Sequence, residues 1–119
     1  MGPLDELFGQ PSNNGQQSGE QAVIVHFIYF KDGLDPLHEL ERKLDRAIRG
    51  HGVGQYDGHE IAMDDSDGFL YMYGPSAETL FRVVKPALEE TDFTRGALAT
   101  LRFGGPGSGA IQIEIEIEK

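Results

Sequence analysis

The sequence contains no cysteine and no tryptophan, and only 10 of its 119 residues are lysine or arginine, against 20 aspartates and glutamates. The absence of cysteine excludes a disulfide framework, a thiolate zinc site, an iron–sulfur cluster and a thiol nucleophile. The formal net charge of −10 argues against a nucleic-acid or anionic-membrane binder, because both depend on phosphate neutralisation by basic side chains. We therefore expect neither nucleic acid nor membrane as a partner.

Long apolar runs are also missing from the sequence. No stretch approaches the ~20 apolar residues of a membrane span. The first 21 residues have neither the basic region nor the apolar core of a secretory signal, so we expect a cytoplasmic protein. Residues 10–21 are mainly Gln, Ser, Asn and Gly, a composition typical of disorder. We expect a flexible N-terminal tail over residues 1–21 and a single domain over residues 22–119.

Hydrophobic patterning predicts two helices and five strands in the order β-α-β-β-α-β-β. Residues 22–30 (AVIVHFIYF) and 69–73 (FLYMY) are apolar on both faces, which is typical of central strands. Glycines interrupt residues 51–63, which predicts a bulged strand, and residues 110–117 alternate like a half-exposed antiparallel strand. We expect an α+β, ferredoxin-like split β-α-β fold (βαββαβ) with an added C-terminal antiparallel strand, and with both helices on one face of the sheet.

Capping residues predict where the two helices begin and end. Asp35 followed by Pro36 predicts an N-cap and first helical residue, and Gly50 predicts the end of that helix. Ser76 predicts the N-cap of the second helix, and Pro86 is expected to kink or shorten its last turn.

Several short motifs lie between residues 51 and 117. They are GQYDGHE at 54–60, YGP at 73–75, AETLF at 77–81 followed by KP, and LRFG at 101–104 followed by a Gly-Pro-Gly turn. This pattern resembles small uncharacterised bacterial ferredoxin-like proteins of unknown function. The resemblance implies the fold and assigns no catalytic residues. More distantly, the acidic character and expected fold are similar to those of protein inhibitors of bacterial ribonucleases.

The turn after the glycine-rich segment carries three candidate metal ligands, Asp64, Asp65 and Asp67. Closely spaced carboxylates suit Ca²⁺ or Mg²⁺. However, Gly68 takes the fifth position, where an EF-hand loop requires an oxygen ligand. Asp, Ser and Gly are also the residues that tight turns select. A solvated hairpin turn is the favoured interpretation, and no cofactor is expected.

His26 stands alone as a polar residue within a central apolar strand. A histidine there can act as a general acid or base, so one hypothesis is a small ferredoxin-like enzyme with an open-sheet cavity. Its candidate catalytic residues are His26, Tyr29 and Tyr71. The simpler interpretation is a histidine whose ring is hydrogen-bonded in the sheet.

The segment Gly68–Tyr71 is similar to the aromatic third strand of an RNA-recognition motif. Asp67 stands where that motif has lysine or arginine, and Leu70 replaces a small residue. With the strongly acidic net charge, these differences disfavour RNA binding.

Alternation along residues 22–30 places apolar side chains on both faces of the sheet, although helices cover only one. An exposed apolar face usually marks an interface, so we expect it to pack on another protein, on a second copy in a homodimer, or beneath residues 1–8. Our main hypothesis is a non-enzymatic protein-binding or regulatory module, of inhibitor or immunity type, that engages a basic partner. The candidate binding residues are His26, Ile28, Phe30, Phe69, Tyr71 and Tyr73.

Overall fold

Five strands and two α-helices lie within residues 20–118, the part of the chain that the computed structural model describes. The strands are all antiparallel and lie in the order β2-β3-β1-β4-β5. This α+β arrangement and the order of elements along the chain agree with the prediction. The elements are β1 (Gln21–Ile28), α1 (Asp35–His51), β2 (Gln55–Ile61), β3 (Asp67–Gly74), α2 (Ala77–Glu90), a 3-10 turn (Asp92–Thr94), β4 (Leu98–Arg102) and β5 (Gln112–Glu116).

The predicted N-terminal tail lies outside the described residues except for its last two positions. Gln21 already belongs to β1, one residue earlier than the predicted domain start. Its side-chain oxygen accepts a hydrogen bond from the backbone N–H of Ala77, which ties the first strand to the start of α2. The expectation that residues 1–8 cover the open face also falls outside the described residues.

One face of the sheet builds the hydrophobic core with both helices. Alternate residues of β1, β3 and β4 are buried there, because side chains point to opposite faces at successive positions of a strand. The helices contribute apolar residues at spacings of three and four, the stripe expected of a core-facing helix. The core includes Val23, Val25, Phe27, Leu70, Met72, Ala99 and Leu101 from the strands, and Leu37, Leu40, Leu44, Ile48, Leu80, Val84 and Leu88 from the helices.

The ends of α1 differ from the prediction. Leu34 occupies the N-cap position without a side-chain cap, and Asp35 is the first helical residue. Asp35 therefore acts through its negative charge in the first turn. Gly50 lies within the helix, which ends because Gly52 adopts the left-handed conformation, with φ of 63°.

The second helix begins at the predicted N-cap and continues past Pro86. Ser76 is its N-cap, and its side-chain oxygen accepts a hydrogen bond from Thr79 N–H at 3.2 Å. Pro86 does not end the helix, which continues to Glu90. Its neighbours Val84 and Leu88 are both fully buried, so tertiary packing holds the turn around Pro86.

The two edge strands are β2 and β5. β2 contains the predicted bulge, between Tyr56 and Gly58. Burial of the isoleucine face increases along β5, since Ile111, just before the strand, is 73% exposed and Ile117, just after it, is 1% exposed. The predicted alternation is therefore present, but only one end of the strand reaches the core.

Candidate functional site

The face of the sheet opposite the helices carries an aromatic and apolar centre between acidic edges. Strand register places five residues side by side in what we call the central row, which spans about 19 Å because neighbouring strands lie about 4.8 Å apart. Its middle residues are apolar or aromatic, and a glutamate stands at each end. From β2 to β5 the central row is Glu60, Phe69, His26, Leu98 and Glu116.

Two further rows continue the open face along the strands. The next row has Tyr71 and Ile24 at its centre and Glu114 at the β5 edge. The row beyond it has Tyr73 beside Ala22, and it carries Arg102, which is the one lysine or arginine in these three described rows. The open face therefore combines partly exposed rings with an excess of negative charge.

Three rings lie nearly parallel on this face and form what we call the ring stack: His26, Phe69 and Tyr71. The centroids of His26 and Phe69 are 4.6 Å apart with an interplanar angle of 20°. Phe69 and Tyr71 are 6.2 Å apart at 21°. Offset parallel rings at these separations attract one another, so the stack holds its own orientation.

A carboxylate fixes each end of the ring stack. His26 Nε2 lies 2.8 Å from Asp67 Oδ2, where an ionised carboxylate accepts a hydrogen bond from the ring N–H. The Tyr71 hydroxyl donates to Glu60 Oε1 at 2.6 Å. This hydrogen bond, together with partial burial, raises the pKa of Tyr71 to about 12. Two separate hydrogen bonds, joined through the ring contacts of Phe69, thus connect β1, β2 and β3 on this face.

A shallow pocket of about 440 Å³, which we call the Phe69 pocket, opens between those two carboxylates. Phe69, Glu60 and Asp67 line it, together with Ile61, Ala62 and Gly68. An aromatic wall between two acidic groups is suited to a cationic group, which is attracted by the ring face and by both carboxylates.

A second pocket, of about 320 Å³, lies on the other side of His26. Ile28 and Leu98 supply apolar walls, while Asp92 and Arg95 supply charges of opposite sign. Lys31 pairs with Asp92 at 3.0 Å and lowers the pKa of that carboxyl. His26 therefore stands between a strongly acidic pocket and one of mixed charge.

The structure brings three of the predicted binding residues, His26, Phe69 and Tyr71, into the ring stack, and it places Tyr73 further along the same face. Ile28, at the end of β1, is 61% exposed, and Phe30, beyond the strand, is 70% exposed. The backbone of Phe30 has φ of 50°, a strained conformation for a bulky residue, and its N–H donates to Asp65 O at 2.7 Å. Phe30 is thus presented to solvent by a fixed backbone.

Tyr29 lies on the opposite face of the sheet from His26 and Tyr71. It is 3% exposed, packs edge-on against Phe93, and donates its hydroxyl hydrogen bond to Gly33 O at 2.8 Å. Burial raises its pKa. The structure therefore does not assemble the predicted set of His26, Tyr29 and Tyr71 around one cavity.

The three aspartates at the β2–β3 turn do not converge on one point, and each has a different structural role. Asp64 Oδ1 accepts the Ser66 N–H at 3.0 Å, and its hydrogen bonds with Ser66 lower its pKa. Asp65 adopts a left-handed turn conformation, and Asp67 bonds His26. Within residues 20–118, no three His, Asp or Glu side chains are placed to hold a metal ion.

Sequence reasoning missed a second polar cluster, between α1 and β2. Glu41 Oε2 accepts hydrogen bonds from the Tyr56 hydroxyl at 2.5 Å and from His59 Nδ1 at 2.8 Å. Burial, and then the hydrogen bond to Glu41, strongly raise the pKa of Tyr56. The sequence did contain one indication of this cluster. Glu41 lies next to Leu40 and three residues before Leu44, so its side chain is near the buried face of the helix. Sequence reasoning also did not place Glu60 beside Phe69 or Leu98 beside His26, because only strand register brings these pairs together.

Comparison with known proteins finds no matching family model, no matching curated protein and no matching solved structure. None of the helices within residues 20–118 has the length and apolar character needed to cross a membrane.

Proposed function

We propose that this chain is a non-enzymatic protein-binding module, of inhibitor or immunity type, that engages a basic partner protein through its open sheet face. The observation that carries the proposal is the central row, where Phe69, His26 and Leu98 lie between two glutamates.

Partly exposed aromatic side chains support a binding role for this face. Aromatic side chains are enriched at the energetic centres of protein interfaces. Ile28 and Phe30 add exposed apolar area at one end of the face. Fixed rings lose little conformational entropy on binding, so the ring stack is suited to form the centre of an interface.

Charge supports a basic partner over a second copy of the chain. Glu60 and Asp67 border the Phe69 pocket, and Glu114 and Glu116 lie on the β5 edge. A second copy brings the same acidic edges and a net charge of −10, whereas a basic surface is attracted and is steered toward the face. A second copy of the chain is the alternative occupant of this face, and the experiment below distinguishes it from a basic partner.

We further propose that the fold is the ferredoxin-like split β-α-β arrangement, with β5 as an added strand, and that the chain is related to small bacterial ferredoxin-like proteins. The order β2-β3-β1-β4 supports this. Each helix joins two strands that have one other strand between them, which is the connection that a split β-α-β unit requires.

The test measures binding of a synthetic dodecapeptide with four spaced basic residues by fluorescence anisotropy at low and at physiological ionic strength. The double variant E60Q/D67N removes two negative charges from the open face. The matched control E39Q/E90Q removes two from exposed positions on the helices. We expect at least a tenfold loss of affinity in the first variant and less than a twofold change in the control.

Equal losses in both double variants would mean that net charge alone attracts the peptide, which would overturn the proposal. Sedimentation velocity on the unmodified chain tests the competing occupant. If the unmodified chain is a stable dimer and the Phe69→Ser variant is a monomer, the open face binds a second copy of the chain and not a basic partner.

The pair formed by His26 and Asp67 favours a second candidate, an enzyme in which His26 acts as acid or base. A carboxylate that orients an imidazole is a common catalytic arrangement, and the pair borders the pocket that contains Arg95. The test is hydrolysis of p-nitrophenyl esters and phosphates. Turnover that is lost in His26→Gln, while peptide binding persists, would support the enzyme.

A further inference from the structure

We propose that the Phe69 pocket receives an arginine side chain of the basic partner and discriminates it from lysine. This inference rests on the proposed function and names the chemical group that the open face recognises. Three features of the pocket carry it: a flat ring, two carboxylates beside it, and hydrogen bonds that hold the two carboxylates in place.

The ring of Phe69 favours a planar cation. Phe69 is partly exposed and lines the pocket. His26, on β1, stacks on one face of the ring, and the pocket lies on the side of Phe69 toward Glu60 and Ile61 of β2. A guanidinium is planar and weakly hydrated, so it stacks on an aromatic face. An ammonium is a compact and strongly hydrated charge, which gains less from a ring and loses more water.

The two carboxylates offer the acceptors that a guanidinium can use. Among the described residues, the hydrogen bond to Asp67 engages Oδ2, and the hydrogen bond to Glu60 engages Oε1. Each carboxylate has a second oxygen with lone pairs that can accept from an incoming donor. A guanidinium has five N–H donors in one plane and can therefore reach two carboxylates at once, whereas an ammonium binds as a point charge.

Preorganisation strengthens the preference. His26 holds Asp67 from one strand, and Tyr71 holds Glu60 from another. Positioning donors and acceptors before binding reduces the conformational entropy lost when the complex forms. The same two carboxylates repel phosphate and nucleotide groups, so the pocket selects for positive charge as well as for shape.

The closing experiment compares two dodecapeptides of equal length and charge, one with four arginines and one with four lysines, by isothermal titration calorimetry. We expect the arginine peptide to bind the unmodified chain at least tenfold more tightly. Phe69→Leu keeps an apolar side chain but removes the ring, and we expect it to reduce the arginine preference to less than threefold. Near-ultraviolet circular dichroism and thermal melting check that the variant is folded, and Tyr71→Leu serves as a second ring variant.

The outcomes separate this inference from the proposed function. Equal affinity for the two peptides, with both lost in E60Q/D67N, would overturn the arginine assignment and leave the basic-partner module standing. A preference that persists in both ring variants would also overturn it. If neither peptide binds, the proposed function fails, and the arginine pocket fails with it.

Discussion

His26 and Asp67 belong to different strands, and the imidazole Nε2 lies 2.8 Å from the carboxylate Oδ2 on the open face of the sheet. Both side chains keep substantial contact with water, with 41% and 38% of their side-chain surface exposed. The pair therefore orients groups at the rim of the Phe69 pocket more than it stabilises the fold.

Replacing Asp67 by asparagine is expected to change the free energy of unfolding by less than about 1 kcal/mol, because exposed ion pairs contribute about 0–1 kcal/mol. Urea denaturation followed by far-ultraviolet circular dichroism measures this. A loss above about 2 kcal/mol would mean that the pair is structural, and the role in binding argued for Asp67 would then lose its basis.

The four tyrosines predict an unusual alkaline titration. Burial raises the pKa of Tyr29, Tyr56 and Tyr73 above the ordinary value of 10.0, and hydrogen bonding to Glu60 raises that of Tyr71 to about 12. With no tryptophan in the chain, absorbance at the tyrosinate band reports these groups directly. We expect little ionisation of the folded protein at pH 10. In concentrated guanidinium chloride all four should titrate together near about pH 10. One full equivalent of tyrosinate at or below pH 10 in the folded protein would contradict the structure.

The same shifts predict the pH dependence of stability. A tyrosine whose pKa is higher in the folded chain binds more proton there than in the unfolded chain above about pH 10, so the free energy of unfolding falls as pH rises. The contribution of the tyrosines to the free energy of unfolding is fully present below about pH 10. It is lost as the pH rises through the pKa of each tyrosine in the folded chain, which is about 12 for Tyr71. Urea midpoints at pH 9 and pH 11 measure this loss. An unchanged midpoint would contradict it.

Two glycines should respond oppositely to alanine. A Cβ at Gly68 would lie 2.6 Å from Glu60 O and 2.9 Å from Phe27 Cζ, so Gly68→Ala forces the edge strand and a core ring apart. We expect a loss of about 1–3 kcal/mol, the usual cost of overpacking a core. Gly50 lies within α1 with open space around its Cβ position. There the same change should stabilise by about 0.5–1 kcal/mol. Thermal denaturation of the two variants side by side tests this, and a shift of the same sign in both would contradict it.

Removing the hydroxyl of Tyr56 should cost more stability than removing the hydroxyl of Tyr71. Its partner Glu41 is only 17% exposed at the side chain, so Tyr56→Phe removes a hydrogen bond to a half-buried carboxylate. We expect a loss of about 1.5–3 kcal/mol. The control Tyr71→Phe removes an exposed hydrogen bond to Glu60 and should cost less than about 1 kcal/mol. Chemical denaturation of both variants makes the comparison, and equal losses would contradict the assigned burial.

Much of the fold follows from local patterns in the sequence. The alternation in residues 22–30 correctly separates Val25 and Phe27, which are buried, from Ile28, which is exposed. Ser76 marks its helix start because an N-cap is a local interaction. The predicted helix end at Gly50 was wrong, because glycine can lie within a helix as well as in the left-handed conformation that ends one. Only the three-dimensional path of the chain decides that Gly52 adopts the left-handed conformation.

The site was less accessible to sequence reasoning, because it depends on which strands become neighbours. Aromatic residues in two central strands were enough to select His26, Phe69 and Tyr71. Asp67 precedes Phe69 by two positions on β3, so strand alternation places both on one face. Nothing local indicates that Glu60 borders the same ring, since that follows from the register of β2 on β3. Tyr29 is different, because the alternation along residues 22–30 already places it on the face opposite His26, with Val25 and Phe27, and the structure buries it there.

The central claim is that the open face, including the Phe69 pocket near its β2 edge, binds a basic partner. Its most direct test is a ¹⁵N-edited NMR titration of the folded chain with the four-arginine dodecapeptide, followed residue by residue. We predict that the largest shifts of backbone amides fall on His26, Glu60, Asp67, Phe69 and Tyr71, while the exposed faces of α1 and α2 stay nearly unchanged. Shifts that are largest on the helices, or that spread evenly over the acidic surface, would contradict the claim.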